Sequence, residues 1–180
     1  MTTLAALVAL GCSEPETEPS APRRSRVESV AARVEDPSER FCDPRTASLA
    51  AEFVAPPALS GSGPRWLNLW ASFCRPCIEE LPLLRDWEAR LQAEGTPLRV
   101  IFRSVDASEE ALARFRERHP DAPSERLDAD ALSATLASLG LDDHASLPIH
   151  VLVGEDDRLL CLRTGSVSED DYALVRALLR

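Results

Sequence analysis

Apolar positions fall along the chain in blocks of different period, and the blocks predict strands and helices in alternation. Residues 66–70, Trp-Leu-Asn-Leu-Trp, are a short apolar run of the kind that fills a buried strand. From Cys77 onward apolar side chains recur at Ile78, Leu81, Leu84, Trp87 and Leu91. That spacing of three to four places them on one stripe of an amphipathic helix, with Gly95 as its C-terminal stop. Residues 98–102 are a second apolar run and a second strand. Ser108 is placed to cap a helix reaching about His119, closed by Pro120. Leu132, Leu136 and Leu139 predict a further short helix. Residues 149–153 form a third strand, and the turn Gly154-Glu155-Asp156-Asp157 leads into a fourth at 158–163, closing a hairpin. Ser168 with Asp171 reads as a capping box before a last helix bearing Leu174, Val175, Leu178 and Leu179.

The resulting order is strand–helix–strand–helix–strand–strand–helix. A right-handed crossover makes the first two strands parallel, and the last two form an antiparallel hairpin. The fold class is therefore α/β, a central mixed sheet with helices on both faces, over residues 41–180. Residues 13–40 are rich in Ser, Glu, Pro and Arg and poor in large apolar side chains, so they predict a flexible tether. Within that tether Val27, Val30 and Val34 fall at helical spacing and predict one short helix. Residues 1–12 hold a short apolar run at 4–10 followed by Gly11-Cys12. No internal repeat is present, and no run of 18 apolar residues.

With 44% hydrophobic residues in 180, the chain can bury a core over most of its length. Its formal net charge of −10 repels phosphate backbones and argues against nucleic acid as a partner.

The chemistry concentrates at Cys74-Arg75-Pro76-Cys77, between the first strand and its helix. A two-residue gap lets both sulfurs meet across one helical turn, close enough for a disulfide. Unpaired N–H groups and the positive end of the helix dipole stabilise a thiolate there. The thiolate is the attacking species in disulfide exchange. Cys74 is expected to be the exposed nucleophile and Cys77, one turn inside, the resolving thiol. Arg75 adds positive charge, and Pro76 suits a first turn where a missing N–H costs nothing. Half of a zinc site is the competing reading, but no second C-x-x-C and no paired His exists to complete it.

The segment Asn68-Leu69-Trp70-Ala71-Ser72-Phe73-Cys74-Arg75-Pro76-Cys77, with Glu80-Leu81-Pro82 after it, resembles the active-site segment of the thioredoxin superfamily, most of all its TlpA/ResA-like branch of thiol–disulfide oxidoreductases. The resemblance covers roughly residues 46–180. It implies a thioredoxin-like fold and disulfide exchange with other proteins. Ser146-Leu147-Pro148 falls where the superfamily holds a cis-proline facing the cysteines. The resemblance thus implies a cis Pro148, a Leu147 backbone able to pair with a substrate strand, and a Trp70 that shields the site. Trp70, Arg75, Pro76 and Leu147 are the expected substrate-binding residues; Cys74, Cys77, Pro148 and Glu80 are the expected catalytic ones. Many thioredoxins keep a buried acid where Asn68 stands. Proton transfer to Cys77 then falls to Glu80 or to water, unless Glu80 is only a solvated first-turn residue. The branch mostly reduces its substrates, apocytochromes among them, and that direction is carried by the resemblance alone.

The N-terminal run ending at Gly11-Cys12 resembles a bacterial lipoprotein signal, in which the cysteine is lipidated; it departs from that pattern in lacking a preceding Lys or Arg and in having Ala9 where Leu is usual. This implies an extracytoplasmic, periplasmic protein held at a membrane by a lipid anchor, and Ser13 is compatible with outer-membrane sorting. With Cys12 acylated and Cys74 and Cys77 paired, Cys42 and Cys161 remain. In an oxidising compartment two such thiols often form a structural bridge; otherwise they are two separate thiols. His150 lies two residues beyond Pro148 and could face the cysteines, acting on proton transfer or on metal; His119 reads as a solvated helix cap, His144 sits in an acidic loop, and Glu109-Glu110 and Asp156-Asp157 read as solvated charge. Exported protein thiols or disulfides are the expected partners of a monomer needing neither cofactor nor metal. Two rival readings stay open: a copper-handling protein using Cys74, Cys77 and His150, and a non-catalytic binding module on the same scaffold.

Overall fold

The structure is a computed structural model that describes residues 36–180. Cys12, the signal-like segment and the helix expected at Val27, Val30 and Val34 lie outside the described residues. The elements are α1 (Pro37–Phe41), α2 (Thr46–Ala50), a 3₁₀ turn (Pro57–Leu59), β1 (Arg65–Trp70), α3 (Arg75–Ala93), β2 (Arg99–Ser104), α4 (Glu109–Arg116), α5 (Ala129–Ser138), β3 (Ile149–Val153), β4 (Leu159–Thr164), a second 3₁₀ turn (Glu169–Asp171) and α6 (Tyr172–Leu178).

The four strands form one sheet in the order β2-β1-β3-β4, with β1 parallel to β2, antiparallel to β3, and β3 antiparallel to β4. Register sets Asn68 level with Phe102 on one side and His150 on the other, and Leu152 level with Cys161. Because strand side chains alternate, the sheet has two separate cores. On one face Trp66, Leu152 and Cys161 pack with Leu84, Trp87 and Leu91 of α3, Val175 of α6 and Phe41 of α1. On the other, Leu67, Leu69, Ile101, Val151 and Val153 pack with Leu136 of α5 and Leu139 just beyond it. The helices lie on both faces, and β1 is buried at all six positions.

Local chemistry accounts for the helix ends. Ser108 Oγ accepts from Ala111 N–H at 3.2 Å and Asp128 Oδ1 from Ala131 N–H at 2.8 Å. Gly95 takes φ +85° just past α3, a conformation that favours glycine. The Ser168–Asp171 capping box forms and leads through the 3₁₀ turn into α6. Trp87 Nε1–H donates to Glu169 at 2.9 Å, and this bond, with Arg90, holds the Glu169 carboxyl below its ordinary range. Helix α4 stops at Arg116 rather than near His119, whose N–H turns back to the Phe115 carbonyl. Asp157 is exposed, as read from the sequence, and also pairs with the buried Arg65, which donates to the carbonyls of Leu59 at 2.7 Å and Gly63 at 2.5 Å.

Helices α1 and α2 add an N-terminal segment that begins before residue 41. Asp36 Oδ1 caps α1 by accepting from Ser38 N–H at 2.9 Å, with Pro37 in the first turn. The chain then covers the free edge of β4. Asp43 N–H donates to Leu162 O at 2.7 Å, Leu162 N–H to Thr46 Oγ1 at 3.2 Å, and Thr164 N–H to Asp43 Oδ2 at 3.2 Å. A covered edge cannot recruit another strand. Cys42 and Cys161 are joined by a disulfide with Cα atoms 5.3 Å apart, across a sequence separation of 119 residues.

Replacing both of these cysteines by serine should lower unfolding free energy by about 4–5 kcal/mol in the chain-entropy view of so long a loop. Urea denaturation of oxidised protein reads this directly; an unchanged midpoint would remove the bridge from the stability of the domain.

Candidate active site

Strand β1 ends at Trp70, whose carbonyl accepts from Val105 N–H at 2.8 Å. The chain crosses residues 71–73 and enters α3 with Cys74 as its N-cap. Cys74 N–H donates to Ala71 O at 3.0 Å, and its carbonyl accepts from Ile78 N–H at 3.1 Å. The Cys74–Cys77 disulfide is closed, with Cα atoms 5.3 Å apart, and Cys77 N–H donates to Cys74 Sγ at 3.3 Å. The sulfur of Cys74 therefore already faces the unpaired N–H groups of a helix start. Cys74 is 8% exposed and Cys77 0%. In this oxidised state the expected nucleophile is mostly covered, because Trp70, Ala71, Leu81, Leu112 and Phe115 pack around the pair.

The Leu147–Pro148 bond is cis, and Leu147 packs against the same cluster as the cysteines. Pro148 O accepts from Gly165 N–H at 2.8 Å, tying the loop to the end of β4. Pro76 and Arg75 are exposed; the Arg75 guanidinium bonds Glu79 at 2.8 Å, and that bond raises its already high pKa. The positive charge expected to help Cys74 is thus shared with a neighbouring carboxylate at the surface, where such pairs are weak. Trp70, expected among the substrate-binding residues, is fully buried with its ring centroid 5.8 Å from that of Phe115. As the last residue of a strand buried on both faces, it packs against the cysteines. The exposed aromatic is Phe73, at 75%.

Beneath the disulfide lies a buried polar group of side chains. Glu80, one turn along α3 from Cys77, is 2% exposed, which removes the solvated reading. Its Oε1 accepts from Asn68 Nδ2 at 2.8 Å and its Oε2 from Val167 N–H at 3.1 Å. His150 is equally buried and its Nδ1 accepts from Trp66 Nε1–H at 3.1 Å. Among the described residues no group of three or more His, Cys, Asp and Glu is placed to hold a metal ion. His150 is turned to Trp66 and Glu80, so the copper reading is left without its third donor.

Two residues not singled out as site residues shape the approach to Cys74: Asp106, which has no signal in the sequence, and Phe73, which lies in the segment that carries the resemblance. Asp106 is buried after β2, and its carboxylate accepts from Ser72 N–H at 3.0 Å, Ser72 Oγ at 2.5 Å and Ser104 Oγ at 2.6 Å. It fixes the turn that precedes the nucleophile. Nothing in the sequence separates it from the other acids in a chain with 30 of them. Phe73 stands beside a groove of about 670 Å³ lined also by Ser72, Ala111, Arg114, Phe115 and Arg118.

A mixed four-stranded sheet with a helix rising from a C-x-x-C at the end of a central strand, and a cis-proline just before β3 whose preceding Leu147 packs on the cysteine cluster, is the thioredoxin fold. Solved structures similar to this chain have the same fold. One is assigned as the thiol:disulfide interchange protein DsbE of Chlorobium tepidum, at 23% identity and TM-score 0.52, with 66% of this chain and 82% of that one covered. Another is the thioredoxin domain of a thiol-disulfide oxidoreductase from Bacteroides vulgatus, at 19% identity and TM-score 0.51, covering 66% and 81%. StoA of Bacillus subtilis is similar at 12% identity and TM-score 0.50, covering 67% and 85%. No family model and no curated protein matches the sequence.

Asp106→Ala leaves one N–H and two hydroxyls without their acceptor. It should cost about 2 kcal/mol of stability and slow reduction of the Cys74–Cys77 disulfide by dithiothreitol severalfold by loosening residues 71–73. An unaltered rate at unaltered stability would deny Asp106 any part in holding the site.

Proposed function

We propose that this protein is an extracytoplasmic thiol–disulfide oxidoreductase that exchanges the Cys74–Cys77 pair with protein substrates, as their reductant. The observation that carries the reading is the unequal burial of two bonded sulfurs at a helix N-terminus, with the cis-proline loop against them. The similar structures named as thiol:disulfide interchange proteins support the reaction class.

In the reduced protein the Cys74 thiolate, favoured by the start of α3, attacks one sulfur of a substrate disulfide. A mixed disulfide forms and the other substrate sulfur leaves as a thiolate. Cys77 gives its proton to Glu80, the nearest buried base along the helix. Its sulfur then attacks Cys74 Sγ, the mixed disulfide breaks, and the second substrate sulfur departs with the electron pair. The protein is left oxidised, so an external dithiol must reduce it before the next cycle. The groove beside Phe73, lined by the aromatic rings of Phe73 and Phe115 and by charged side chains including Arg114 and Arg118, offers the partner a mixed apolar and polar seat next to the C-x-x-C. Pro76 and the Leu147 backbone complete that contact surface.

The Cys42–Cys161 bridge supports an oxidising compartment, where such bonds persist. The tether expected over residues 13–40 is shortened by α1, which already belongs to the domain from Asp36; the residues before it act as the tether from a lipidated Cys12 and hold the domain outside the cytoplasm at a membrane surface.

Cys77→Ser tests the exchange reading: the variant should trap an extracytoplasmic protein on Cys74 as a mixed disulfide, released by dithiothreitol and absent from Cys74→Ser/Cys77→Ser. No thiol-dependent adduct would defeat it. Radiolabelled palmitate should enter the wild type and not Cys12→Ala; equal labelling of both, or of neither, would defeat the anchor.

A further inference from the structure

His150 sits in β3 level with Asn68 of β1, on the face that carries Trp66. The Trp66 indole can only donate, so its 3.1 Å contact requires Nδ1 of His150 to be bare. The second amide hydrogen of Asn68, 3.4 Å from the same nitrogen, requires the same. A neutral imidazole with a bare Nδ1 carries its proton on Nε2. That nitrogen is buried, lacks a hydrogen-bond partner, and lies 3.5 Å from Oε1 of Glu80.

The groups around the ring leave Glu80 as its electrostatic partner. From α3, Glu80 is the titratable neighbour; β1 offers Trp66 and Asn68. From β4, Arg163 is the register partner of His150, but its guanidinium turns to the carbonyls of Phe41 and Ser166, with Asp171 at 3.9 Å. The chain before α6 contributes the Val167 N–H, already given to Glu80.

We propose that His150 is a positioning residue for Glu80: fixed by Trp66 as the neutral Nε2–H tautomer, it offers a donor to Oε1 whenever Glu80 is ionised, and so sets the pH range over which Glu80 takes the proton of Cys77. The proton's origin rests on the exchange reading above; the tautomer does not. When Cys77 passes its proton to Glu80 and its sulfur closes onto Cys74, the Glu80 carboxyl becomes neutral and needs an acceptor for its O–H. Asn68 Oδ1, buried and without a partner, supplies one after rotation of the amide. Asn68 thus serves either form of Glu80, whereas the His150 N–H favours the ionised one.

Two measurements test this. In ¹⁵N-labelled oxidised protein at neutral pH, two-bond ¹H–¹⁵N correlations of the His150 ring should show a protonated Nε2 and a bare Nδ1; the opposite tautomer, or a doubly protonated ring, overturns the proposal. Stopped-flow reaction of reduced protein with 5,5′-dithiobis(2-nitrobenzoate) separates attack by Cys74 from the second release of thionitrobenzoate, when Cys77 attacks the Cys74 adduct. His150→Phe should move the pH midpoint of that second phase upward by roughly one unit, as expected for loss of a buried N–H dipole 3.5 Å from a carboxylate oxygen, and leave the first phase unmoved. His150→Gln, whose amide can accept from Trp66 and donate to Glu80, should stay near the wild type. An unmoved profile in the Phe variant, or an equal shift in both, overturns the proposal. Should the Phe variant not fold, the tautomer measurement on the unaltered protein decides. The reagent needs no protein partner, so a chain that traps none in the Cys77→Ser experiment refutes the exchange reading and leaves this test intact.

Discussion

Strand β1 is bonded along both edges, to β2 and the residue after it on one side and to β3 on the other, and is buried at every position. A slip of one residue would turn Leu67 and Leu69 into the α3 layer and expel Trp66 and Asn68 from it. The register is therefore fixed by burial, and with it the point where the chain leaves the sheet. That point is Trp70, and four residues later Cys74 begins α3. The place of the disulfide at the sheet's end, the depth of Asn68 beneath it and the level of His150 beside Asn68 all follow from one strand that cannot move.

Burying a carboxylate is costly unless its oxygens are bonded. Glu80 meets that condition with donors from two separate parts of the chain, the Asn68 amide and the Val167 N–H. The same bonds join α3 to β1 and to the segment before α6, so a group suited to proton transfer also ties the layer together. An acid at position 68 would set two carboxylates against each other; an amide can give to a carboxylate or take from a carboxylic acid.

Periodicity exposed the elements with the most to bury. The stripe from Ile78 to Leu91 in α3 and the apolar runs of β1 and β3 are long or dense enough to outweigh local preferences, and their turns carry Gly, Asp and Pro. Helices α1 and α2 are five residues each, too short for a period to register, and they are held by long-range contacts: Phe41 in the core, Thr46 on Leu162 and the bridge to Cys161. The site divides in the same way. The Cys74–Cys77 spacing and its place between strand and helix are local and therefore legible. The depth of Glu80 and Trp70, the turning of His150 away from the cysteines and the hold of Asp106 on Ser72 depend on which residues the fold brings together, and no local pattern carries that information.

The unequal burial of the two bonded sulfurs makes the pair regioselective. Of the two bonded cysteines only Cys74 has any exposed surface, so in the proposed exchange the adduct is carried on Cys74. Electrons enter and leave by the same atom. Release of the adduct waits on a cysteine with no exposed surface, which places its timing under the control of the protein interior.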